Sequence, residues 1–169
     1  MRICAPSRNA RRAFISFMVD SPPQLCLFNN PRIERRDTKI EIRPPLAFQV
    51  LVALALGRTR TQSRAEVAKL LFPGVDPKER RSQLRIALCQ LRKRLIESGI
   101  SEIYSESGSD LQLGEAVTLD AEEILSGSLL TRERLATYCE PVLVGCQSRF
   151  AEKCRRLVKT SLRRLYQQF

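Results

Sequence analysis

The chain has 169 residues, 43% of them hydrophobic, and its Lys and Arg outnumber its acids by 29 to 18, for a formal net charge of +11. That suffices for one domain of ordinary size with an appendage. The basic excess points to a polyanionic partner, nucleic acid or an anionic membrane surface, although no apolar run is long enough to span a bilayer. The chain has no histidine, which removes the commonest general base, and no G-x-S-x-G, P-loop or G-x-G-x-x-G. Its six cysteines, Cys4, Cys26, Cys89, Cys139, Cys146 and Cys154, form no C-x-x-C. Neither a zinc site nor an extracellular disulfide framework is expected; the expectation is reduced, mostly buried thiols in a cytoplasmic protein. Cys139, Cys146 and Cys154 alone are grouped closely enough to raise a redox or metal role. The carboxylates of Glu122 and Glu123 sit beside apolar residues and read as an exposed helix face. No catalytic residue, cofactor or metal is expected.

In chain order, residues 1–23 carry Arg2, Arg8, Arg11 and Arg12 with no acid before Asp20. They read as a flexible basic arm ended by Pro22 and Pro23; the apolar patch at 14–19 is too short for a secretory signal. Residues 24–42 read as an antiparallel meander. Its strands are expected at 25–28, 32–36 and 39–42, with turns at Asn29-Asn30-Pro31 and Asp37-Thr38. Pro44 and Pro45 stop it and start a helix. LAFQVLVALAL, residues 46–56, is apolar all round and too short for a membrane, so it is the buried central helix, with Gly57 as its expected C-cap.

Residues 63–95 read as two helices joined by a tight turn. Ser63 and Glu66 form an S-x-x-E capping box, and Asp76 and Glu79 repeat it with Pro77 at the first helical position. Pro73 and Gly74 break the chain between them. On a wheel at about 100° per residue, Leu84, Ala87, Leu88, Leu91 and Leu95 share one side of the second helix. Lys78, Arg81, Ser82, Arg85, Cys89, Arg92 and Lys93 share another. A solvated helix face usually mixes signs for i,i+4 pairing; this one is nearly all basic, with a small-residue gap at Ser82 and Cys89. The pattern is that of a helix-turn-helix whose second helix enters the major groove.

That helix ends near Ser98-Gly99. Residues 103–105 and 111–113 read as a hairpin in the position of a wing. Residues 117–120 are expected to open a helix running to about Leu125. A helix is expected at 131–139, ended before Pro141, and a longer one at 148–169. Phe150, Cys154, Leu157, Val158, Ser161, Leu162, Leu165 and Phe169 form the apolar face of the last, which needs the rest of this chain or a second copy as partner. Arg149, Lys153, Arg156, Lys159, Arg163 and Arg164 form its other face.

The stretch LLFPGVDPKERRSQLRIALCQLRKRL, residues 70–95, resembles the motif of the antibiotic regulatory protein (SARP) group of bacterial transcriptional activators, roughly LWP…DP…R..LR..LS.LRR.L. Leu71-Phe72-Pro73 matches its aromatic-Pro signature, Asp76-Pro77 its helix start, and Leu84-Arg85, Leu88, Leu91-Arg92 and Leu95 its periodicity. Residues 28–42 and 45–56 resemble the family's N-terminal strands and central helix. Residues 117–120 and 149–166 resemble parts of the bacterial transcriptional activator domain (BTAD). The resemblance implies a winged helix of the response-regulator type. The chain departs from it in three places. Ser109-Asp110 stand where the wing usually has Gly-Tyr, and Glu106 adds an acid. The helical repeat region stops short. The basic arm is not a family feature.

The expected fold is therefore α+β: a winged helix-turn-helix with an N-terminal β-meander and a C-terminal wing hairpin, followed by a short all-α segment. The divisions are 1–23 (arm), 24–116 (DNA-binding domain) and 117–169 (helical segment). The expected function is a sequence-specific transcription regulator on double-stranded DNA, with residues 77–96 as recognition helix. Arg81 and Arg85 are the expected base readers, because arginine pairs both guanine acceptors. Lys78, Arg92, Lys93 and the entry Thr61, Gln62, Ser63 and Arg64 are expected on phosphates, with Ser82 at close approach and Ser107 in the wing. RNA polymerase and a second copy of the chain are further candidate partners; a membrane is not. The alternative is a winged-helix module that binds protein rather than a DNA sequence.

Overall fold

The computed structural model describes residues 22–36, 38–127, 138 and 141–167. The basic arm to residue 21, Cys4, Cys139, Phe169 and nearly all of the helix expected at 131–139 lie outside the described residues. The fold is mixed α+β, with two small sheets around an apolar helix.

The meander forms as its alternation predicts: β1 (Gln24–Cys26), β2 (Arg32–Arg35) and β3 (Thr38–Glu41) are antiparallel neighbours. Leu25 opposes Ile33, and Ile33 opposes Ile40, so one face is apolar and Leu25, Leu27 and Ile33 are buried. α1 (Pro45–Ala55) starts with Pro at its first turn and buries every residue from Ala47 to Leu54, as a helix apolar all round must. Gly57 does not cap it in the left-handed conformation. Leu56 closes the helix, its N–H donating to Val52 O at 2.9 Å. Glycine is needed at 57 for space, since a Cβ there would stand 1.9 Å from Gln62 Nε2.

A strand absent from the sequence reading, β4 (Thr61–Ser63), follows. Then come α2 (Arg64–Leu71), α3 (Pro77–Glu97), a 3-10 turn at Ser101–Ile103, and the hairpin β5 (Tyr104–Ser107) and β6 (Asp110–Leu113). β4 pairs antiparallel with β6, giving a three-stranded sheet in the order β4-β6-β5. Gly74, at φ +83, makes the reversal between α2 and α3, and Gly108, at φ +57, the hairpin turn. The five apolar residues expected on one side of α3, from Leu84 to Leu95, are all buried, against α1 and α2.

Residues 117–120 do not open a helix. Thr118–Leu119 is a strand, β7, parallel to β1 and completing the order β3-β2-β1-β7. β1 offers an open edge there, and β-branched Val117 and Thr118 suit a strand. The short α4 (Glu122–Ser126) comes after it. The division after residue 116 is thus crossed by a sheet, and one apolar cluster runs from Leu25 to Leu165. α5 (Arg149–Tyr166) lays Phe150, Ala151, Cys154, Val158 and Leu165 against this cluster. Leu157, expected on the same face, is 48% exposed instead. No described helix is long and apolar enough to cross a membrane.

Candidate nucleic-acid interface

The sequence at the start of each helix explains how α2 and α3 are set. Ser63 Oγ accepts from the Glu66 N–H at 3.2 Å while Glu66 Oε2 accepts from the Ser63 N–H at 2.9 Å, a complete capping box. Ser63 Oγ also donates to Glu66 Oε2 at 2.8 Å, and this bond, with the one from the Ser63 N–H, holds the Glu66 carboxyl below its ordinary pKa. Asp76 Oδ2 accepts from the Lys78 and Glu79 N–H groups, but Glu79 turns to Gln83 Nε2 at 3.0 Å, so the second box is only half formed. A cap by Asp and a first turn without a second lock still suffice to start α3 after Pro77.

Between the start of α2, the outer side of α3 and the hairpin lies a groove of about 610 Å³. Arg64, Arg81, Arg85 and Arg92 stand on its walls, with Leu84, Leu88, Cys89 and Ala65 between them and Ser63, Glu106 and Ser109 completing the lining. A polyanion with a partly apolar edge, which is what a groove of duplex DNA presents, suits such a surface chemically.

The groove divides the residues expected to contact DNA into two groups. Lys78, Arg81, Ser82 and Arg85 are exposed along the first turns of α3, and none has an ion pair among the described residues. Lys93 is also exposed, with Glu97 Oε1 at 4.0 Å. Ser107 is exposed at the end of β5, but Ser109, not Ser107, lines the groove. Thr61 is exposed on β4.

The others are occupied internally. Gln62 points back under β4 and donates from Nε2 to Ala53 O at 2.8 Å, tying β4 to α1. Its amide nitrogen is thereby engaged in packing rather than presented at the surface. Ser63 is spent on its cap. Arg64 Nη2 and Arg92 Nη2 both donate to Glu106, to Oε2 at 2.5 Å and to Oε1 at 2.7 Å, and Tyr104 Oη donates to Oε1 at 2.8 Å. The Glu106 side chain is 16% exposed against 44% for Arg64 and 58% for Arg92, so the acid lies beneath its two arginines. Burial pushes the Glu106 pKa upward, but the Arg92 and Tyr104 hydrogen bonds and the nearby charges prevail and hold it below the ordinary value. Burial and Glu106 push the Tyr104 phenol up to about 12, and Glu106 raises Arg92 further. This cluster locks α2, α3 and the hairpin to one another. Sequence reading noticed Glu106 as an extra acid in the wing but had no signal for its partners, which come from two other elements.

Of the cysteines, Cys89 is exposed in the groove, while Cys26, Cys146 and Cys154 are buried. Burial pushes the Cys26 thiol up to about 12 and Cys154 to about 11, against thiolate chemistry. No cluster of metal-ligating side chains occurs among the described residues.

Comparison with models of protein families and with curated proteins finds no match to this chain.

Proposed function

We propose that this chain is a sequence-specific double-stranded DNA-binding transcription regulator of the winged-helix type, with α3 as recognition helix and β5–β6 as wing. One observation carries the reading: Lys78, Arg81, Ser82 and Arg85 stand together, exposed and without ion pairs among the described residues, on the side of α3 that borders the buried leucines fixing it on the core, and Arg81 and Arg85 line the groove beside Leu84 and Leu88. A helix so mounted offers its N-terminal half to a groove while its own packing stays intact. Arg81 and Arg85 read bases, Lys78 and Lys93 take phosphates, and the electrostatic share of affinity comes from these cations. Arg64 and Arg92 serve the scaffold through Glu106. The setting that suits this function is the cytoplasm, with RNA polymerase as a further partner.

The Glu106 cluster favours a second reading, a winged helix that docks an acidic protein surface, because it withdraws two cations from the phosphate path. Selection of bound sites from random duplexes, followed by titrations at rising salt, separates the two. A DNA reader enriches one sequence and loses affinity as salt rises, with a log–log slope of about −0.9 per phosphate contacted. A protein-docking module enriches none.

A further inference from the structure

α5 carries a second basic surface that α3 does not explain. Arg149, Lys153, Arg156, Lys159, Arg163 and Arg164 are all exposed along it, and the acid among them, Glu152, is paired with Arg156. We propose that this face of α5 is a second duplex-DNA surface, binding the phosphates that flank the site α3 reads; the proposal rests on the reading of α3 given above.

Three observations support it. First, the start of the basic face of α5 adjoins α2 and the turn that leads into α3. Arg149 and Lys153 share a groove of about 360 Å³ with Lys69 of α2, and the Arg149 guanidinium reaches the reversal before α3, where a Cβ on Gly74 would lie 3.9 Å from Arg149 Nη1. Glu66 also lines that groove, but its carboxylate is engaged by Ser63. Secondly, α5 is mounted rigidly. Ser148 caps it and donates from Oγ to the buried Gln49 Oε1 at 2.6 Å. Arg155 faces the other way and donates to the carbonyls of Val142, Leu143 and Cys146. A preset row of cations loses little entropy on binding a rigid polyanion. Thirdly, the apolar side of α5 is buried in the core. An interfacial membrane helix needs that side free to enter the bilayer, so the charge pattern here fits a rigid phosphate backbone better than a lipid surface. The 18 residues of α5 span about 27 Å, or about 8 base pairs of duplex.

The test uses the full chain with Lys153→Gln, Lys159→Gln, Arg163→Gln and Arg164→Gln together, and a control with Lys153→Arg and Lys159→Arg. The fold is checked by circular dichroism and thermal melting. The quadruple variant is expected to reduce the slope of log affinity against log salt by about 2–4 and to shorten the hydroxyl-radical footprint on one flank by about 6–8 base pairs. The preferred sequence stays the same, and the charge-preserving control behaves as the unsubstituted chain. An unchanged slope and footprint in a folded variant overturns the proposal. So does a variant that keeps its duplex affinity but loses binding to vesicles of one-third phosphatidylserine in phosphatidylcholine, which assigns the face to a membrane. If Arg85→Ala leaves the preferred sequence intact while the α5 variant still shortens the footprint, the reading of α3 fails alone and the α5 surface stands.

Discussion

α3 and α5 are both long helices with one buried and one basic side, and they differ in what stands beside the basic side. Along α3, other elements close in: Arg64 and Ser63 at the start of α2, Glu106 and Ser109 of the hairpin. Several α3 cations are already committed, Arg92 to Glu106, Arg94 to Glu97 and the Arg43 carbonyl, and Arg80 to the Val75 carbonyl. Along α5, among the described residues, Arg155 is tied inward and Arg156 pairs with Glu152, and the remaining cations stand on an open face. Charge alone attracts a phosphate backbone whatever its sequence. Discrimination needs charge fixed in relief, where a few donors meet base edges at set positions. By this comparison the proposed reading belongs to α3 and the proposed holding to α5.

The sharpest way to break the comparison is through the buried sides. Leu91 is fully buried under α3, and Leu91→Ala is expected to cost about 2–5 kcal/mol in urea denaturation, the range for a leucine removed from a core. Leu157→Ala on α5 is expected to change stability by less than about 0.5 kcal/mol, because that side chain is 48% exposed. Equal losses at the two positions would mean that Leu157 is covered and that α5 is seated more deeply.

Next in size is an effect of pH confined to the mounting of α5. Asp120, at the end of β7, accepts the N–H groups of Leu27 and Phe28 at 2.8 and 3.2 Å. The same segment receives the chain that leads to α5, through Leu143 N–H to Leu27 O and Asn29 N–H to Pro141 O. Burial outweighs the backbone hydrogen bonds and the nearby Arg32 and pushes the Asp120 carboxyl from 3.8 up to about 6. The folded chain therefore holds this proton more tightly than the unfolded one. The corresponding stability is fully present below about pH 4 and is lost as pH rises through about 6. Melting between pH 4 and pH 7 should show a loss of about 1–3 kcal/mol, and Asp120→Asn should flatten it. An identical profile in the variant would place the titrating group elsewhere. α3 has no equivalent, since its buried side is wholly apolar.

A third experiment compares the two exposed faces directly. Arg85→Ala is expected to relax preference at one base position and to cost about 1–3 kcal/mol there. Lys159→Ala is expected to weaken all sequences alike. If Arg85→Ala also weakens all sequences alike, Arg85 is a phosphate contact and α3 is no more a reader than α5.

What the sequence disclosed follows the same division between local and distant causes. The leucines of α3 recur at helical spacing, so Leu84, Leu88, Leu91 and Leu95 were legible as its buried side. The Ser63–Glu66 box was legible too, because both partners lie within one turn. β4 was not, because Thr61-Gln62-Ser63 has no apolar alternation and its pairing is supplied by β6, far along the chain. Residues 117–120 read as a helix start for the same reason, since the partner of β7 is β1, the first strand. Nothing local to Gln62 tells that its amide is engaged by the Ala53 carbonyl, because the approach of β4 to α1 makes that bond. At the candidate site the cations were legible and their state was not: nothing local tells Arg85, which is exposed without an ion pair among the described residues, from Arg92, which is held by Glu106.

The smallest expected effect tests that last distinction. Glu106→Gln keeps the shape of the side chain and one acceptor oxygen but removes the charge that Arg64 and Arg92 share. In the unsubstituted chain any phosphate entering the groove must compete with a carboxylate that already accepts both arginines and Tyr104. Removing the carboxylate charge releases part of that positive potential to the groove. Binding to a random duplex should rise about two- to fivefold at low salt, and the slope of log affinity against log salt should steepen by about 1. The preferred sequence should not change, because Arg81 and Arg85 are untouched. Weaker binding with a shallower slope would reverse the assignment. Glu106 would then hold Arg64 and Arg92 in place for phosphate, and the wing side of α3 would be part of the interface and not of its scaffold.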